Sequence, residues 1–116
     1  MVEHVFNYKH MEEVKLDQIK KNLLENDTVR ALADTFKILG DSTRIKILSC
    51  LELSPLCVTD ISEVIGMSKS AVSHQLRLLK QMKLIKFEKS GREAIYSLDD
   101  EHVSKIFQCA LEHVNE

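Results

Sequence analysis

Apolar residues recur at helical spacing along most of the chain, and this pattern predicts a mainly helical protein. In the segment 69–80, Val72, Leu76 and Leu79 follow one another at four and three residues, the spacing of a buried helical stripe. Polar caps, glycines and the one proline separate the helical stretches. The predicted helices run from residue 11 to the polar break at 25–27, from Thr28 to Ile38, from 41–43 to a point before Pro55, over 58–65 and over 69–80.

The hydrophobic period changes after the fifth helix. The segments 84–87 and 94–98 have the pattern of two short strands, with hairpin-turn residues between them. A last helix, capped by Asp99 or Asp100, then runs to the C-terminus. A glycine turn at 66–68 joins two short helices directly before the hairpin. The sequence therefore predicts a winged helix-turn-helix, mainly α with a small β-hairpin.

Length and composition exclude several classes of protein. The chain has 116 residues, 44% of them hydrophobic and 29% charged, which suits one small domain and leaves no uncharged stretch long enough to span a membrane. The three cysteines form no CxxC pair, which favours a reducing cytoplasm over a disulfide-stabilised secreted protein. We expect a flexible arm over residues 1–10 and a single domain over 11–116, for which shared burial in a homodimer would be useful.

The charge is unevenly distributed and points to a polyanionic partner. Residues 69–92 carry seven basic side chains against the one acidic Glu88, a charge of +6, so with a net charge of −2 the remainder carries −8. Short polar side chains can approach base edges and basic ones neutralise phosphates, so we expect this segment to bind double-stranded DNA. A winged helix that binds another protein is the alternative. The expected DNA contacts are Ser68, Lys69, Ser70, Ser73, His74, Gln75 and Arg77 in the second helix, with Lys89 and Arg92 at the hairpin.

Three motifs resemble the ArsR/SmtB family of metal-sensing repressors: DSTRI at 41–45, SKSAVSHQL at 68–76 and GREAIYSL at 91–98. The resemblance covers about residues 28–116. It implies a cytoplasmic homodimer, packed through its N- and C-terminal helices, that represses an efflux or sequestration operon and leaves its operator when metal binds. It implies no enzymatic activity, no membrane partner and no organic substrate. Family membership alone does not identify the effector.

The last helix has the residues of a metal site. His102 and His113 are eleven residues apart, which places them on one helix face but about 16 Å apart along it, too far to chelate one ion. An antiparallel partner helix would bring His102 of one chain to His113 of the other, giving two equal sites per dimer. With Asp100 and Glu116 the ligands are two imidazoles and two carboxylates, a set suited to tetrahedral Zn(II). All four residues match the C-terminal-helix motif of the resembling zinc and cobalt sensors. Both histidines could instead be ordinary boundary residues of an amphipathic helix.

A second metal site is a weaker prediction. Cys57 and Asp60 resemble the start of the family's other metal-binding helix, where His4 or His10 of the arm could complete a mixed site. Thr59 stands where lead and cadmium sensors carry a second cysteine, so a thiolate-rich site is not expected. Cys109 is interpreted as a small packing residue near the dimer axis. Co(II), Ni(II) and a thiol redox signal are the alternatives to Zn(II) as effector. A metal carrier that does not bind DNA is the alternative to the repressor function.

Overall fold

The computed structural model describes the backbone of residues 8–116 and the side chains of residues 15–116. The described residues form six helices and one two-stranded antiparallel sheet, in the order predicted for a winged helix-turn-helix. The elements are α1 (Tyr8–Asn22), α2 (Asn26–Leu39), α3 (Ser42–Leu53), α4 (Val58–Ile65), α5 (Lys69–Gln81), β1 (Ile85–Ser90), β2 (Glu93–Leu98) and α6 (Glu101–Val114). No helix in this part of the chain is long and apolar enough to cross a bilayer.

The first two helices start earlier than the sequence pattern indicates. Residues 8–10 of the predicted arm belong to α1, and the rest of that arm lies outside the described residues. In α2 the backbone N–H of Val29 donates to the carbonyl of Glu25 over 3.0 Å. This bond closes a helical turn ahead of the predicted start, so Thr28 lies within the first turn of α2 instead of capping it.

The chain divides into two compact units, Met1–Ala33 and Asp34–Glu116. Within one protomer, the unit that carries the winged fold begins at Asp34, and the single domain over residues 11–116 stays a prediction. Leu16, Leu23 and Leu24 in the first unit are half or more exposed. These apolar side chains are uncovered within one protomer.

The core of the second unit lies where α3, α4, α5 and β1 meet. Ile47, Ile61, Val72 and Leu79 are fully buried, and Val103 joins α6 to the same cluster. Burying a side chain of this kind contributes about 1.5–3 kcal/mol. Complete burial at these positions therefore fixes α5 against α3 and α4.

The turn between α4 and α5 is built by two local signals. Gly66 ends α4 in the left-handed region, with φ 71°, where a side chain would be strained. The Ser68 hydroxyl accepts a hydrogen bond from the backbone N–H of Ala71 over 3.1 Å and caps α5. The glycine turn predicted from the sequence is therefore present, and Ser68 fixes the start of the helix that follows it.

The hairpin is longer than predicted and is tied back to the helices. The strands pair from Ile85 with Leu98 to Ser90 with Glu93, so only two residues remain in the turn. Leu56, in the loop after α3, exchanges two backbone hydrogen bonds with Tyr96 of 3.0 and 2.8 Å. The hairpin thus projects from the core as a wing whose base is held by the α3–α4 loop.

Candidate nucleic-acid interface and metal centre

One face of α5 is exposed and polar, while the opposite face enters the core. Val72, Leu76 and Leu79 are buried. At the predicted positions the structure leaves six side chains exposed: Ser68, Lys69, Ser70, Ser73, His74 and Arg77. This face offers hydroxyl, imidazole and cationic groups to a partner, with no acidic residue in the helix. Its chemistry suits base edges and phosphates of a nucleic acid.

Gln75 departs from the prediction that it is exposed. It is half-buried, and its Oε1 accepts a hydrogen bond of 2.9 Å from Nε of Arg44 on α3. The sequence reasoning grouped Gln75 with the exposed polar residues because of its amide. Its helical position puts it about 60° from buried Val72, at about 100° per residue. Arg44 itself was missed, since nothing local links residues 31 apart in the chain.

The wing presents basic side chains and is braced against α5. Lys89 and Arg92 are exposed near the hairpin turn, as the sequence pattern predicts. The Nζ atom of Lys80 lies 4.1 Å from the centre of the Phe87 ring, and the Phe87 and Tyr96 ring centres are 5.6 Å apart. A cation over an aromatic face is stabilising by about 0.5–1 kcal/mol at an exposed site. This contact, which sequence reasoning missed, connects the end of α5 to the wing.

At the start of α6, Asp100 and His102 lie together. Asp100 is the N-cap residue, and its Oδ1 accepts hydrogen bonds from the backbone N–H of His102 (2.8 Å) and of Val103 (3.3 Å). The same oxygen is 3.3 Å from Nδ1 of His102. Desolvation acts to raise the pKa of Asp100, but the hydrogen bonds from His102 and Val103 outweigh it, and the pKa lies below its usual value. The carboxylate is therefore ionised, as a metal ligand must be.

At the other end of α6, His113 and Glu116 form a second pair. Nδ1 of His113 is 3.8 Å from Oε2 of Glu116, and both side chains are about four-fifths exposed. The eleven residues between the two histidines separate them by about 16 Å along the helix. Among the residues whose side chains are described, no three potential metal ligands come together. The protomer thus carries two separate two-residue groups, one at each end of α6.

The structure describes the side chains of two residues of the predicted second site, Cys57 and Asp60, which lie within one turn of each other. Cys57 is the buried N-cap residue of α4, and Asp60 lies in the first turn of that helix. His4 lies outside the described residues, and so does the side chain of His10. Cys109, interpreted as a packing residue, is exposed in the protomer. The mixed Cys57 site stays a prediction.

A hydrogen-bonded cluster joins α6 to α3 near its C-terminal end. Oε1 of Glu52 accepts hydrogen bonds from the Ser104 hydroxyl (2.7 Å) and from Nε2 of Gln108 (2.9 Å). Oε2 of Glu52 is buried and has no hydrogen-bond partner among the described residues. The cluster connects the helix with the predicted metal ligands to the helix that precedes the helix-turn-helix. No sequence signal pairs Glu52 with residues 52 and 56 positions later.

Comparison with known proteins identifies the family. The model of the bacterial regulatory protein arsR family matches residues 41–86, which run from the cap of α3 to the start of β1. The cadmium resistance regulatory protein CadC homolog of Staphylococcus aureus is 38% identical over 100% of this chain and 96% of its own length. The SmtB repressor homolog of Synechocystis is 36% identical over 92% of this chain and 80% of its own. The chain belongs to the ArsR family.

A solved relative has the same fold. The solution structure of apo-NmtR is 40% identical to this chain, covers 79% of it and 77% of the solved chain, and superposes with a TM-score of 0.69. The ArsR-family protein described here is therefore a DNA-binding transcriptional regulator and not an enzyme. The function class and the winged fold predicted from the sequence are confirmed.

The second unit of this ArsR-family protein also carries an uncovered apolar groove. Its volume is about 330 Å³, and it lies between the end of α2, the start of α3 and the length of α6. Phe36 and Ile106 on its rim are 64% and 45% exposed. Its lining is entirely apolar: Phe36, Leu39, Ile45, Leu48, Leu84, Leu98, Val103, Ile106, Phe107, Ala110, Leu111 and Val114. Contiguous exposed apolar surface of this kind marks an interaction site.

Proposed function

We propose that this protein is a zinc-responsive repressor that holds its operator as a metal-free homodimer and releases it when Zn(II) binds between the two α6 helices. Two relatives support a repressor that responds to metal, because one is named as a cadmium resistance regulator and the other as an SmtB repressor homolog. The cytoplasm, where the DNA is, is the expected location.

The DNA contacts follow from the exposed face of α5 and the wing. We assign base and phosphate contacts to Ser68, Lys69, Ser70, Ser73, His74 and Arg77, and phosphate contacts to Lys89 and Arg92. Each phosphate neutralised by a Lys or Arg releases counterions, so binding should weaken steeply with salt. A two-fold dimer would place two such faces at half-sites about 34 Å apart.

The observation that carries the zinc assignment is the pairing of a histidine with a carboxylate at each end of α6. Asp100 with His102 and His113 with Glu116 each supply one imidazole nitrogen and one carboxylate oxygen. Two such pairs make the four-ligand N/O set that tetrahedral Zn(II) accepts. A pair from each protomer, with the helices antiparallel, would complete one site, and symmetry would give a second.

The dimer is supported by the apolar surface that the protomer leaves uncovered. The groove along α6 and the exposed leucines and isoleucines of the N-terminal helices would both lose their contact with water in a dimer packed through these segments. At about 25 cal/mol per Å² of apolar area buried, such an interface stabilises a small protein considerably. Zinc held across that interface would then change how the two DNA-binding faces are presented.

Operator binding with and without zinc tests the proposal. The probe is a labelled duplex that the chelator-treated, reduced protein selects from a randomised pool, and binding is followed by fluorescence anisotropy at one salt concentration. We expect tight metal-free binding and a loss of about tenfold or more in affinity on adding one zinc per protomer, in line with ordinary coupling free energies. If operator binding did not change with zinc but did change with Co(II), Ni(II) or an oxidant, that agent and not zinc would be the effector.

Paired variants locate the site. His102→Ala and His113→Ala each remove one imidazole, while Glu101→Ala and Glu112→Ala alter exposed neighbours on the same helix. All four should bind the operator normally without metal, and zinc should release DNA only from the two glutamate variants. If zinc still released both histidine variants, the α6 assignment would be wrong even though the repressor function stood.

A further inference from the structure

A single side chain near the start of α3 joins three helices. The guanidinium of Arg44 donates from Nε to Oε1 of Gln75 on α5 over 2.9 Å, and from Nη1 to the carbonyl of Ile38 in α2 over 3.1 Å. The backbone N–H of Arg44 is held in turn by the Asp41 cap over 3.1 Å. Both Arg44 and Gln75 are half-buried. The arginine is thus anchored at its backbone and at two atoms of its head group.

The chemistry of these contacts fixes the orientation of the Gln75 amide. A guanidinium has donors only, so it must face the oxygen of the amide and never the nitrogen. Among the described residues no carboxylate lies within ion-pair distance of the Arg44 guanidinium, so neutral acceptors alone hold the charge. Hydrogen bonds from a charged donor are shorter and about twice as strong as neutral ones. The contact therefore constrains the position of α5 more than a hydrogen bond between two neutral groups would.

The position of Gln75 on the helix separates it from the DNA-binding face. At about 100° per residue, Gln75 is about 160° away from both Ser73 and Arg77, which are exposed, and about 60° from buried Val72. A side chain on that flank points away from a surface that reads the groove through Ser73 and Arg77. Gln75 consequently contacts α3, whereas Ser73 and Arg77 are exposed to solvent.

We propose that Arg44 and Gln75 are a positioning pair that sets the orientation of the recognition helix α5 on α3, and that Gln75 does not itself contact DNA. The pair acts on operator binding by presenting Ser70, Ser73 and Arg77 at the correct angle. Misplaced by an ångström or two, these side chains lose base-edge contacts while long cationic side chains still reach phosphates. The pair therefore affects specific binding more than non-specific binding.

Two substitutions of Gln75 distinguish positioning from direct contact. Gln75→Leu keeps the approximate volume but removes the acceptor for Arg44. Gln75→Glu keeps an acceptor and pairs it with the guanidinium, but it removes the amide donors and would repel a phosphate. Gln81→Leu is the control, because it makes the same glutamine-to-leucine substitution at an exposed residue in the last turn of the same helix. All are compared without metal, so the outcome does not depend on the zinc assignment.

The measurement is anisotropy of a duplex selected by the unaltered protein, with a scrambled duplex of equal length as the non-specific reference. We expect Gln75→Leu to lose about tenfold in operator affinity while scrambled DNA changes by less than about threefold, and Gln75→Glu and Gln81→Leu to stay within about threefold on the operator. The slope of affinity against salt should not change for Gln75→Leu, because no phosphate contact is lost. A Gln75→Glu variant that binds as poorly as Gln75→Leu, or worse, would overturn the proposal in favour of direct contact.

Arg44→Lys completes the test, because lysine keeps the charge but cannot hold two acceptors in a fixed fork. Arg44→Lys alone and combined with Gln75→Leu should each lose about as much operator affinity as Gln75→Leu alone, since all three break the same link. Losses that multiply in the double variant would contradict a pair acting as one unit. The fraction of each variant that can bind DNA is measured by stoichiometric titration below its melting temperature. A loss of affinity can then be distinguished from partial unfolding.

Discussion

Removing the Ser104 hydroxyl should destabilise the protein through one identifiable hydrogen bond. Ser104→Ala deletes the 2.7 Å donor to Glu52 and leaves a partly buried carboxylate with one donor fewer. Hydrogen bonds to charged groups contribute about 1.5–3 kcal/mol. Alanine is the better helix former by about 0.5 kcal/mol, which offsets part of the loss. The expected decrease in the free energy of unfolding is therefore about 1.5 kcal/mol, nearly all of it due to the contact between α6 and α3.

Urea unfolding of metal-free protein, followed by circular dichroism at one fixed protomer concentration, measures this change. With a slope of about 1.5 kcal/mol per M, the midpoint should fall by about 1 M. Ser73→Ala makes the same substitution at an exposed helical serine without a side-chain hydrogen bond, and its midpoint should stay level or rise. In a Glu52→Ala background the loss from Ser104→Ala should vanish. An equal loss in both backgrounds would refute the assignment of the energy to this bond.

Three further outcomes follow from local features. Gly66→Ala should lower the free energy of unfolding by about 1–2 kcal/mol, since Gly66 has φ 71° and a Cβ there would be strained although nothing crowds it; a neutral result in urea would contradict the strained backbone. Lys83 has φ 58° without being glycine, so Lys83→Gly should be neutral or stabilising by up to about 1 kcal/mol in the same assay, and a clear loss would mean that its side chain has a packing role. Iodoacetamide should alkylate Cys50 about tenfold or more slower in the folded protein than in urea, because Cys50 is buried and burial raises the pKa of its thiol; mass spectrometry of peptides during the reaction gives the two rates, and equal rates would show that the core opens readily.

Local signals made much of the winged unit predictable. The Ser68 cap, the Gly66 turn and the buried spacing of Val72, Leu76 and Leu79 each act within a few residues, so their consequences can be deduced from neighbouring positions in the sequence. The same holds for the two histidine–carboxylate pairs of α6, which are two and three residues apart in the chain. His113 and Glu116 are neighbours on the surface of a helix because they are three residues apart. Asp100 meets His102 because it is the N-cap residue of α6.

The contacts that tie the helices together could not be predicted in this way. Arg44 meets Gln75 across 31 residues and Glu52 meets Ser104 across 52, and a side chain's type does not say which distant partner it will meet. Gln75 was assigned to the DNA-binding face by its polarity, although its angle on the helix places it beside the core.

In the proposed function, the division of the ligands between the two ends of α6 would make metal binding a property of the pair of chains. If each site takes Asp100 and His102 from one protomer and His113 and Glu116 from the other, two defective chains can repair one another. A heterodimer of His102→Ala with His113→Ala would contain one site that has lost both imidazoles and one that is complete. Mixed subunits, half of them in heterodimers after random exchange, would therefore regain about a quarter of the full zinc capacity that neither variant has alone.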